Sequence, residues 1–323
     1  MTSAQSVLEA IGCRTGVRFE WIDAPMGGNC FASTGEAMSE SSVEILKAHP
    51  AALVSAISSK KCPPPSPMGR LRKEMGFYCD IRRIVSSPAA KGPKIDMVFF
   101  RECSEDFLPD RNMFMGVGEF MPTEDVALSV RVTTRGKCAQ ISRDAFEYAE
   151  RYRRKKVTLV HKSTVFRMNC GMFREEAEKA AAEHPRIAFE GEAPDTLAGL
   201  IVMNPERFDV VLAANLFGDI LSDVAAAMVG NVMRIANTNG TNAIFYPSHG
   251  GMESHACRER ISPTAMFRTA ADLLLWIGLV DEADILTGAV DGVERTLSLD
   301  SLSLSEKITT ADVTDLVLAS CRG

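Results

Sequence analysis

The spacing of apolar residues along the chain alternates between two patterns. Short, nearly continuous apolar runs such as 95–103 and 157–163 have the length of buried strands, whereas segments such as 171–185 repeat apolar residues with the helical period. This alternation is typical of α/β proteins, in which helices pack against a largely parallel sheet. We therefore predict an α/β fold with strands at 17–23, 51–57, 95–103, 157–163, 187–192 and 209–215, and a helix running into a strand within 69–85.

Amphipathic segments predict helices between these strands and towards both ends of the chain. A Gly-rich loop is predicted at 24–39, a β excursion or hairpin at 111–134, and irregular structure from residue 231 to the final helices. The predicted helices are 3–12, 40–49, 142–154, 171–185, 194–208, a segment containing ANLFGDILSD (214–223), 263–278 and 282–297.

Length and composition limit the classes of protein to consider. With 323 residues, two domains are expected. The net charge of −6 argues against nucleic acid or an anionic membrane surface as the main partner, and the basic run 151–156 fits the solvated end of a helix. Nine cysteines without a C-x-x-C pair disfavour a disulfide framework or a structural zinc site. The longest apolar run, 273–280, is too short to span a bilayer and no signal pattern opens the chain, so we expect a cytoplasmic protein.

Polar side chains follow four of the apolar runs directly. Arg82, Arg101, Lys162 and Asn215 occupy these positions. In a parallel α/β sheet the carboxyl ends of the strands form the ligand crevice, so we expect these groups to converge there. Each alone would more often be an ordinary ion-pair partner. Arg72, with Arg82 and Arg101, offers the planar donor forks that a di- or tricarboxylate requires.

Two aspartates lie four residues apart on one face of a predicted helix. Asp219 and Asp223 are such a pair, and Asp195 opens another helix. Two carboxylates about 4 Å apart repel by roughly 4 kcal/mol at an effective dielectric near 20, so a cation is expected beside them. Oxygen ligands without histidine or cysteine favour Mg²⁺ or Mn²⁺. The alternative is that Asp219 pairs with an arginine while Asp223 caps a helix or faces solvent.

Three segments of the chain resemble one family of enzymes. The segments RLRKEMGFYCDIRR (70–83), VTLVHKSTV (157–165) and NPERFDVVLAANLFGDILSDVAAAMVG (204–230) resemble the isocitrate and isopropylmalate dehydrogenases, which are metal-dependent β-decarboxylating dehydrogenases. The resemblance runs from about residue 17 to the C-terminus. It implies a large domain formed by 1–77 and 230–323 and a small domain, 78–229, that forms a homodimer partly through a β arm at 111–132.

The resemblance also implies a substrate and the residues that bind it. In this family three arginines hold a malate-like 2-hydroxy acid, and they match Arg72, Arg82 and Arg101. Ser66 lies where isocitrate-type members place a serine against the substrate. We therefore expect a hydroxy di- or tricarboxylate as substrate. The residues near its substituent, Ser66, Met68, Gly69 and Val165, favour neither a carboxylate arm nor an alkyl arm.

The metal ligands and catalytic groups of the family fall on acids and a lysine of this chain. Asp219 and Asp223 match the metal ligands, together with Asp195 of the second subunit. Lys162 matches the lysine that is also donated across the dimer and serves in proton transfer. Catalytic roles are thus implied for Lys162 and Asp219. Because the sites are shared between subunits, a monomer is expected to be inactive.

The chain departs from the family pattern mainly at the cofactor. It begins at the first helix, without the usual preceding strand and glycine loop, and Leu108 replaces the tyrosine that assists proton transfer. The adenosine loop aligns with HGGMESHACRERISPTA (249–265), where a serine replaces the acid that selects NAD, and Arg258 or Arg260 would suit NADP. The residues implied at the cofactor are Thr164, His249, Gly250, Ser254 and Ser262.

Substrate and metal groups therefore match the family better than cofactor groups do. We predict a metal-dependent NAD(P) oxidoreductase that oxidises and decarboxylates a malate-like acid. Two alternatives stay open. One is a lyase, decarboxylase or hydrolase without redox chemistry, and the other is a non-catalytic regulatory subunit of an isocitrate-dehydrogenase-like complex.

Overall fold

The structure is a computed structural model that describes residues 1–57, 62, 66–107, 116–230, 233–249, 260–299, 304–305 and 307–322. The strands of this part of the chain are β1 (Ala51–Leu53), β2 (Cys79–Val85), β3 (Asp96–Glu102), β4 (Glu119–Thr123), β5 (Val126–Ser129), β6 (Lys156–Val160), β7 (Ala188–Glu192), β8 (Val210–Ala213), β9 (Arg234–Thr238) and β10 (Ala243–Pro247). The helices are α1 (Thr2–Thr15), α2 (Gly28–Thr34), α3 (Glu40–Ala48), α4 (Pro67–Glu74), α5 (Arg135–Arg151), α6 (Asn169–Glu183), α7 (Pro194–Met203), α8 (Asn215–Met228), α9 (Thr264–Trp276), α10 (Val280–Leu297) and α11 (Thr310–Arg322).

One large sheet organises the molecule, with strand order β1-β10-β9-β2-β3-β8-β6-β7. Strands β3, β8, β6 and β7 are parallel, as are β1 and β10. Between these blocks, β9 is antiparallel to both neighbours and β2 is antiparallel to β3. The sheet is therefore mixed, and the expectation that Arg82 lies at a carboxyl strand end is wrong, because Arg82 lies mid-strand opposite Phe99. Arg82 nevertheless meets Arg101, as expected, since both contact Asp80.

Several predicted elements differ from the structure. Residues 17–23 form no strand, and α2 lies within the predicted loop 24–39. Helix α5 begins at Arg135, because Thr134 accepts a hydrogen bond from the Lys137 amide, rather than at residue 142. The segment after 231 contains β9 and β10, and α11 follows the two predicted final helices. The β9–β10 turn is closed by Asn239, whose Oδ1 accepts from two backbone N–H groups.

Separate apolar clusters cover the sheet. One combines α1 from the start of the chain with α9, α10 and α11 from its end. Another packs α5 and α6 on β3, β6 and β8. The first cluster is consistent with a unit built from both chain ends, while the domain boundaries at 77 and 230 stay a prediction.

The predicted β excursion is present as a hairpin, although residues 111–115 and Leu108 lie outside the described part of the chain. Strands β4 and β5 pair with each other in a separate two-stranded sheet. Every residue of both strands is exposed. Within the described residues, no helix combines the length and the apolar character needed to cross a lipid bilayer.

Candidate active site

A fully buried carboxylate on β2, Asp80, lies at the centre of three arginines. Its Oδ2 is 3.1 Å from Arg82 Nη2, 3.2 Å from Arg101 Nη1 and 3.9 Å from Arg72 Nη2. Asp80 faces Arg101 directly across the β2–β3 pair. We call Arg72, Arg82 and Arg101 around Asp80 the arginine cluster. The structure thus brings together the three arginines singled out from the sequence.

Neighbouring amide and phenol groups fix the outer arginines. Arg72 on α4 donates from Nε to Asn237 Oδ1 at 2.7 Å and from Nη2 to the Tyr246 hydroxyl at 3.1 Å. Arg101 donates to Asn215 Oδ1 from Nε at 3.1 Å and from Nη2 at 2.6 Å. These bonds hold the guanidinium planes in place before any ligand arrives.

A glycine on α8 makes room for one of these arginines. A Cβ added at Gly218 would lie 2.8 Å from Arg101 Cγ and 3.0 Å from Arg101 Cβ. The stem of the arginine leaves a central strand and has little freedom to retreat. The glycine of NLFGDILSD is therefore required for the approach of α8 to β3.

The two aspartates of α8 lie beside the arginine cluster. Asp219 Oδ1 is 2.8 Å from Arg82 Nη2 and 2.6 Å from Arg101 Nη1, and Asp223 Oδ1 is 3.8 Å from Arg82 Nη1. The Asp219 and Asp223 side chains are 46% and 66% exposed, so both carboxylates border open space. The arginine pairing considered as the alternative for Asp219 is thus present in the structure. Among the described residues, no group of three or more histidine, cysteine or acidic side chains is arranged to hold a metal ion.

Electrostatic coupling inside the cluster shifts the pKa of its members. Burial alone would raise the pKa of Asp80, but attraction to Arg82, Arg101 and Arg72 outweighs it, so the net direction is downward. Burial lowers the pKa of Arg101, and repulsion from the other two arginines adds to this. Next to Arg101, burial raises the pKa of Glu102 to about 7, although Ser104 and the Glu105 amide donate hydrogen bonds to it.

Lys162 and Asp195 form an ion pair with each other, away from the arginine cluster of their own chain. Lys162 follows β6 and Asp195 lies in the first turn of α7, after β7. Parallel strands place these ends on the same sheet edge as the end of β3, but β6 is two strands away. At about 4.8 Å per strand, that separation is roughly 10 Å. The Asp195 side chain is 68% exposed, which leaves it accessible to another chain.

The residues predicted to bind substrate substituents or cofactor are dispersed. Ser66 caps α4 by accepting a hydrogen bond from the Gly69 amide at 3.1 Å. Thr164 lies exposed in the turn after β6, and His249 follows β10. Ser262 is buried, and its hydroxyl lies 2.9 Å from the Thr264 hydroxyl. The remaining positions, Gly250, Ser254 and Arg258, lie outside the described residues.

Sequence reasoning missed three members of the site: Asp80, Asn237 and Tyr246. The spacing of Asp80 and Arg82 in YCDIRR was a usable signal, because residues two apart in a strand share a face. Asn237 and Tyr246 gave no such signal, since the strands that carry them were predicted to be irregular.

Comparisons with known proteins agree on the family. A sequence model described as isocitrate/isopropylmalate dehydrogenase matches residues 1–317. The chain is 33% identical over 295 residues to a 3-isopropylmalate dehydrogenase of Archaeoglobus fulgidus, covering 90% of this chain and 86% of the relative. It is 32% identical over 323 residues to an isocitrate/homoisocitrate dehydrogenase of Thermus thermophilus, covering 96% and 92%. A crystal structure of isocitrate dehydrogenase from Methylococcus capsulatus matches with a TM-score of 0.87 at 29% identity, covering 100% of this chain and 95% of that one.

The α/β fold implied by the resemblance is confirmed by the close match to a solved member of this group. The relatives are dehydrogenases, and the chain is accordingly an oxidoreductase of the isocitrate/isopropylmalate type. The chain belongs to the isocitrate/isopropylmalate dehydrogenase family.

Proposed function

We propose that the chain is a metal-dependent NAD(P) dehydrogenase that oxidises and decarboxylates a malate-like 2-hydroxy dicarboxylate. The observation that carries this proposal is the convergence of three arginine side chains beside two outward-facing carboxylates. Planar guanidinium groups bind carboxylates in bidentate fashion and fix the orientation of the bound acid.

Charge balance supports a dianionic substrate. The arginine cluster contributes three positive charges, and Asp80, Asp219 and Asp223 contribute three negative charges. A divalent cation and an oxidised nicotinamide ring would add three positive charges, and Asp195 of a second copy would add one negative charge. With Lys162 neutral as the base, the site would carry a net charge of about +2, which matches two substrate carboxylates. A tricarboxylate would leave one charge unbalanced, and Asp80 is the residue that creates this preference.

The acidic side chains fit a hard divalent cation. Arg82 and Arg101 both contact Oδ1 of Asp219, which leaves Oδ2 for a ligand, and Asp223 is mostly exposed. These oxygens, with Asp195 of a second copy, would hold Mg²⁺ or Mn²⁺. Such a cation, when bound, supplies Lewis-acid stabilisation of negative charge on oxygen. A nicotinamide cofactor would supply the acceptor for the hydride that leaves C2 of the substrate.

The protein side chains orient the acid and move the proton. The arginine cluster holds the carboxylates, and Lys162 of a second copy accepts the hydroxyl proton in its neutral form. The oxidised product is a β-keto acid that loses CO₂, and the carbon atom that carried the lost carboxylate then takes up a proton.

A homodimer completes the site in this proposal. Since Lys162 and Asp195 lie about two to three strands from their own arginine cluster, roughly 10 to 14 Å, a second copy is needed to supply them. The surface around them is apolar enough for a protein interface. The exposed apolar side chains of the segment after β6 and of α7 and α8 are Val165, Met168, Val202, Met203, Leu216 and Ile220, and the hairpin exposes Phe120, Met121, Val126 and Leu128.

Activity is tested with purified protein, Mn²⁺ and a panel of 2-hydroxy diacids and triacids, by following reduction of NAD⁺ or NADP⁺. We expect a diacid to react faster than a triacid. If no acid reacts while thermal shift still detects binding of metal and diacid, the redox proposal gives way to a lyase or a regulatory subunit. Asp219→Asn is expected to abolish stabilisation by Mn²⁺, and unchanged stabilisation would show that the metal site is misplaced.

Site sharing is tested by mixing two inactive variants, Lys162→Met and Asp219→Asn. Subunit exchange makes half of the dimers mixed, and one of the two sites in each mixed dimer then contains both intact residues. Activity should recover to about one quarter of the wild-type value. Sites contained within single subunits would give no recovery.

A further inference from the structure

A cavity of about 280 Å³ lies on the face of the sheet opposite the arginine cluster. Strand β2 borders both, because alternate side chains of a strand point to opposite faces. Asp80 and Arg82 face the arginine cluster, whereas Ile81 and Arg83 line the cavity. Helix α5 and helix α9 form its walls. We call this space the reverse-face cavity.

Its floor carries two arginines that share one carboxylate. Arg83 on β2 and Arg234 on β9 are directly opposite each other in the antiparallel pair, an unfavourable position for two like charges. Both contact the same oxygen, Oδ1 of Asp272, with Arg234 Nη1 at the longer distance of 3.4 Å. The Nε of Arg83 is buried without a hydrogen-bond partner. The floor of the cavity therefore holds two guanidinium groups against one shared carboxylate.

The other charged groups that line the cavity are Asp144, Glu147 and Arg151, all on α5, so the cavity as a whole is neutral and the excess of positive charge is local to its floor. Asp144 accepts a hydrogen bond from the Tyr78 hydroxyl. Glu147 and Arg151 lie exposed on α5, and their opposite charges offset each other. Burial lowers the pKa of Arg234 to about 10, as expected for an incompletely compensated cation.

Above this floor the walls are largely aromatic. Tyr148, Phe245 and Trp276 line the cavity, and the ring centroids of Phe245 and Trp276 are 6.1 Å apart. A pocket with apolar walls and a few convergent polar groups is the usual form of a small-molecule site. The volume of this cavity lies just below the roughly 300–1,000 Å³ range of such sites, which suits a small ligand.

We propose that the reverse-face cavity binds a small aromatic monoanion, a carboxylate or phosphate ester whose charge lies between Arg83 and Arg234. Its ring would pack against Trp276 and Tyr148. The ligand acts as an effector of the proposed dehydrogenase site, because β9 also carries Asn237, which fixes Arg72 in the arginine cluster. Only the effector part rests on the proposed function, since binding is measured separately.

Trp276 provides a direct readout of binding, because the chain contains two tryptophans and the other, Trp21, can be replaced by phenylalanine. In the Trp21→Phe protein we expect benzoate and phenyl phosphate to change Trp276 fluorescence saturably. Benzamide, which has the same ring without the charge, should bind far more weakly. Equal responses to benzoate and benzamide, or none to either anion, would overturn the proposal.

Variants of the floor separate specific binding from general charge effects. Arg83→Gln leaves Asp272 paired with Arg234, so the protein should fold, and benzoate affinity should fall at least about ten-fold. Asp272→Asn removes the carboxylate that competes with the ligand for both floor arginines and should tighten binding. Arg207→Gln is the matched control, because Arg207 pairs with Glu190 and Glu192 and none of these three residues lines the cavity. A loss of affinity in this control equal to that of Arg83→Gln would contradict a specific site.

The effector role is tested by measuring KM for the diacid at saturating benzoate. KM should change in the wild type and not in Arg83→Gln, and an unchanged wild-type KM refutes this role. A protein that binds benzoate as described but oxidises no hydroxy acid would refute the proposed function and leave the cavity assignment intact.

Discussion

Replacing Asp80 with asparagine removes one negative charge from the centre of the arginine cluster while keeping the size of the side chain. Asp80 is 0% exposed and lies within 3.2 Å of both Arg82 and Arg101. Removing one partner of a buried ion pair lowers the free energy of unfolding by about 3–5 kcal/mol, because the remaining charge is left without compensation. Asp219 also contacts both arginines, so we expect a loss near the lower limit, about 3 kcal/mol.

That loss converts into a measurable change in melting temperature. At about 2.1 cal/mol/K per residue, the unfolding entropy of 323 residues is about 0.7 kcal/mol/K, so Tm should fall by about 4 °C. Thermal unfolding of the wild type and of Asp80→Asn at neutral pH measures this fall in Tm. The matched control is Asp96→Asn, which breaks a pair whose carboxylate is 58% exposed and should change stability by less than about 1 kcal/mol.

The pH dependence supplies a second check on Asp80. The pKa of Asp80 is lowered in the folded protein. Its contribution to the free energy of unfolding is therefore present above the unfolded pKa of about 3.9 and is lost as pH falls through the folded pKa. The difference in melting temperature between wild type and Asp80→Asn should therefore be largest above pH about 4 and shrink in acid.

The Asp80→Asn variant should also accept a tricarboxylate substrate more readily than the wild type does, because one negative charge is removed from the site. Equal melting temperatures for Asp80→Asn and Asp96→Asn would refute the role assigned to the buried carboxylate.

Two further predictions concern the neighbours of Arg101. Gly218→Ala should displace Arg101 and raise the substrate KM about ten-fold, the value for one lost charge-assisted hydrogen bond; Gly288→Ala, where no atom lies within 4 Å of the added Cβ, should leave KM unchanged in the same steady-state assay. Glu102 has its folded pKa raised to about 7, so its stabilising contribution is complete below the unfolded pKa and is lost as pH rises through about 7. The free energy of unfolding of the wild type, measured with urea, should fall by about 3 kcal/mol between pH about 4.5 and 7, and Glu102→Gln should remove this fall. Identical pH profiles for the wild type and the variant would contradict the raised pKa.

The sequence was most informative where local pattern and chemistry coincide. Helix α8 was predicted from its period, and its i,i+4 spacing placed Asp219 and Asp223 on one face, as observed. Arg101 lies near the end of β3, and Asn215 comes shortly after the end of the parallel strand β8. Their side chains meet at one edge of the sheet, as predicted from their positions at strand ends. These inferences needed only a few residues of context.

The missed features depend on pairing between distant parts of the chain. The Asp80 environment requires β2 to run antiparallel to β3 and beside β9, which follows it by some 150 residues, and no local pattern specifies that order. Strand β9 contains Asn237 in place of an apolar residue, since its side chain serves the arginine cluster. A functional side chain inside a strand thus weakened the signal by which strands are recognised.

The fully exposed β4–β5 hairpin has a consequence for how assembly can be followed. A two-stranded hairpin in water is marginally stable at best, so its backbone hydrogen bonds should open frequently in a lone subunit. Covering it in a dimer would slow the exchange of its amide protons with deuterium. The exchange rate of residues 119–129 should therefore fall as protein concentration rises, reporting association without any substrate or cofactor present.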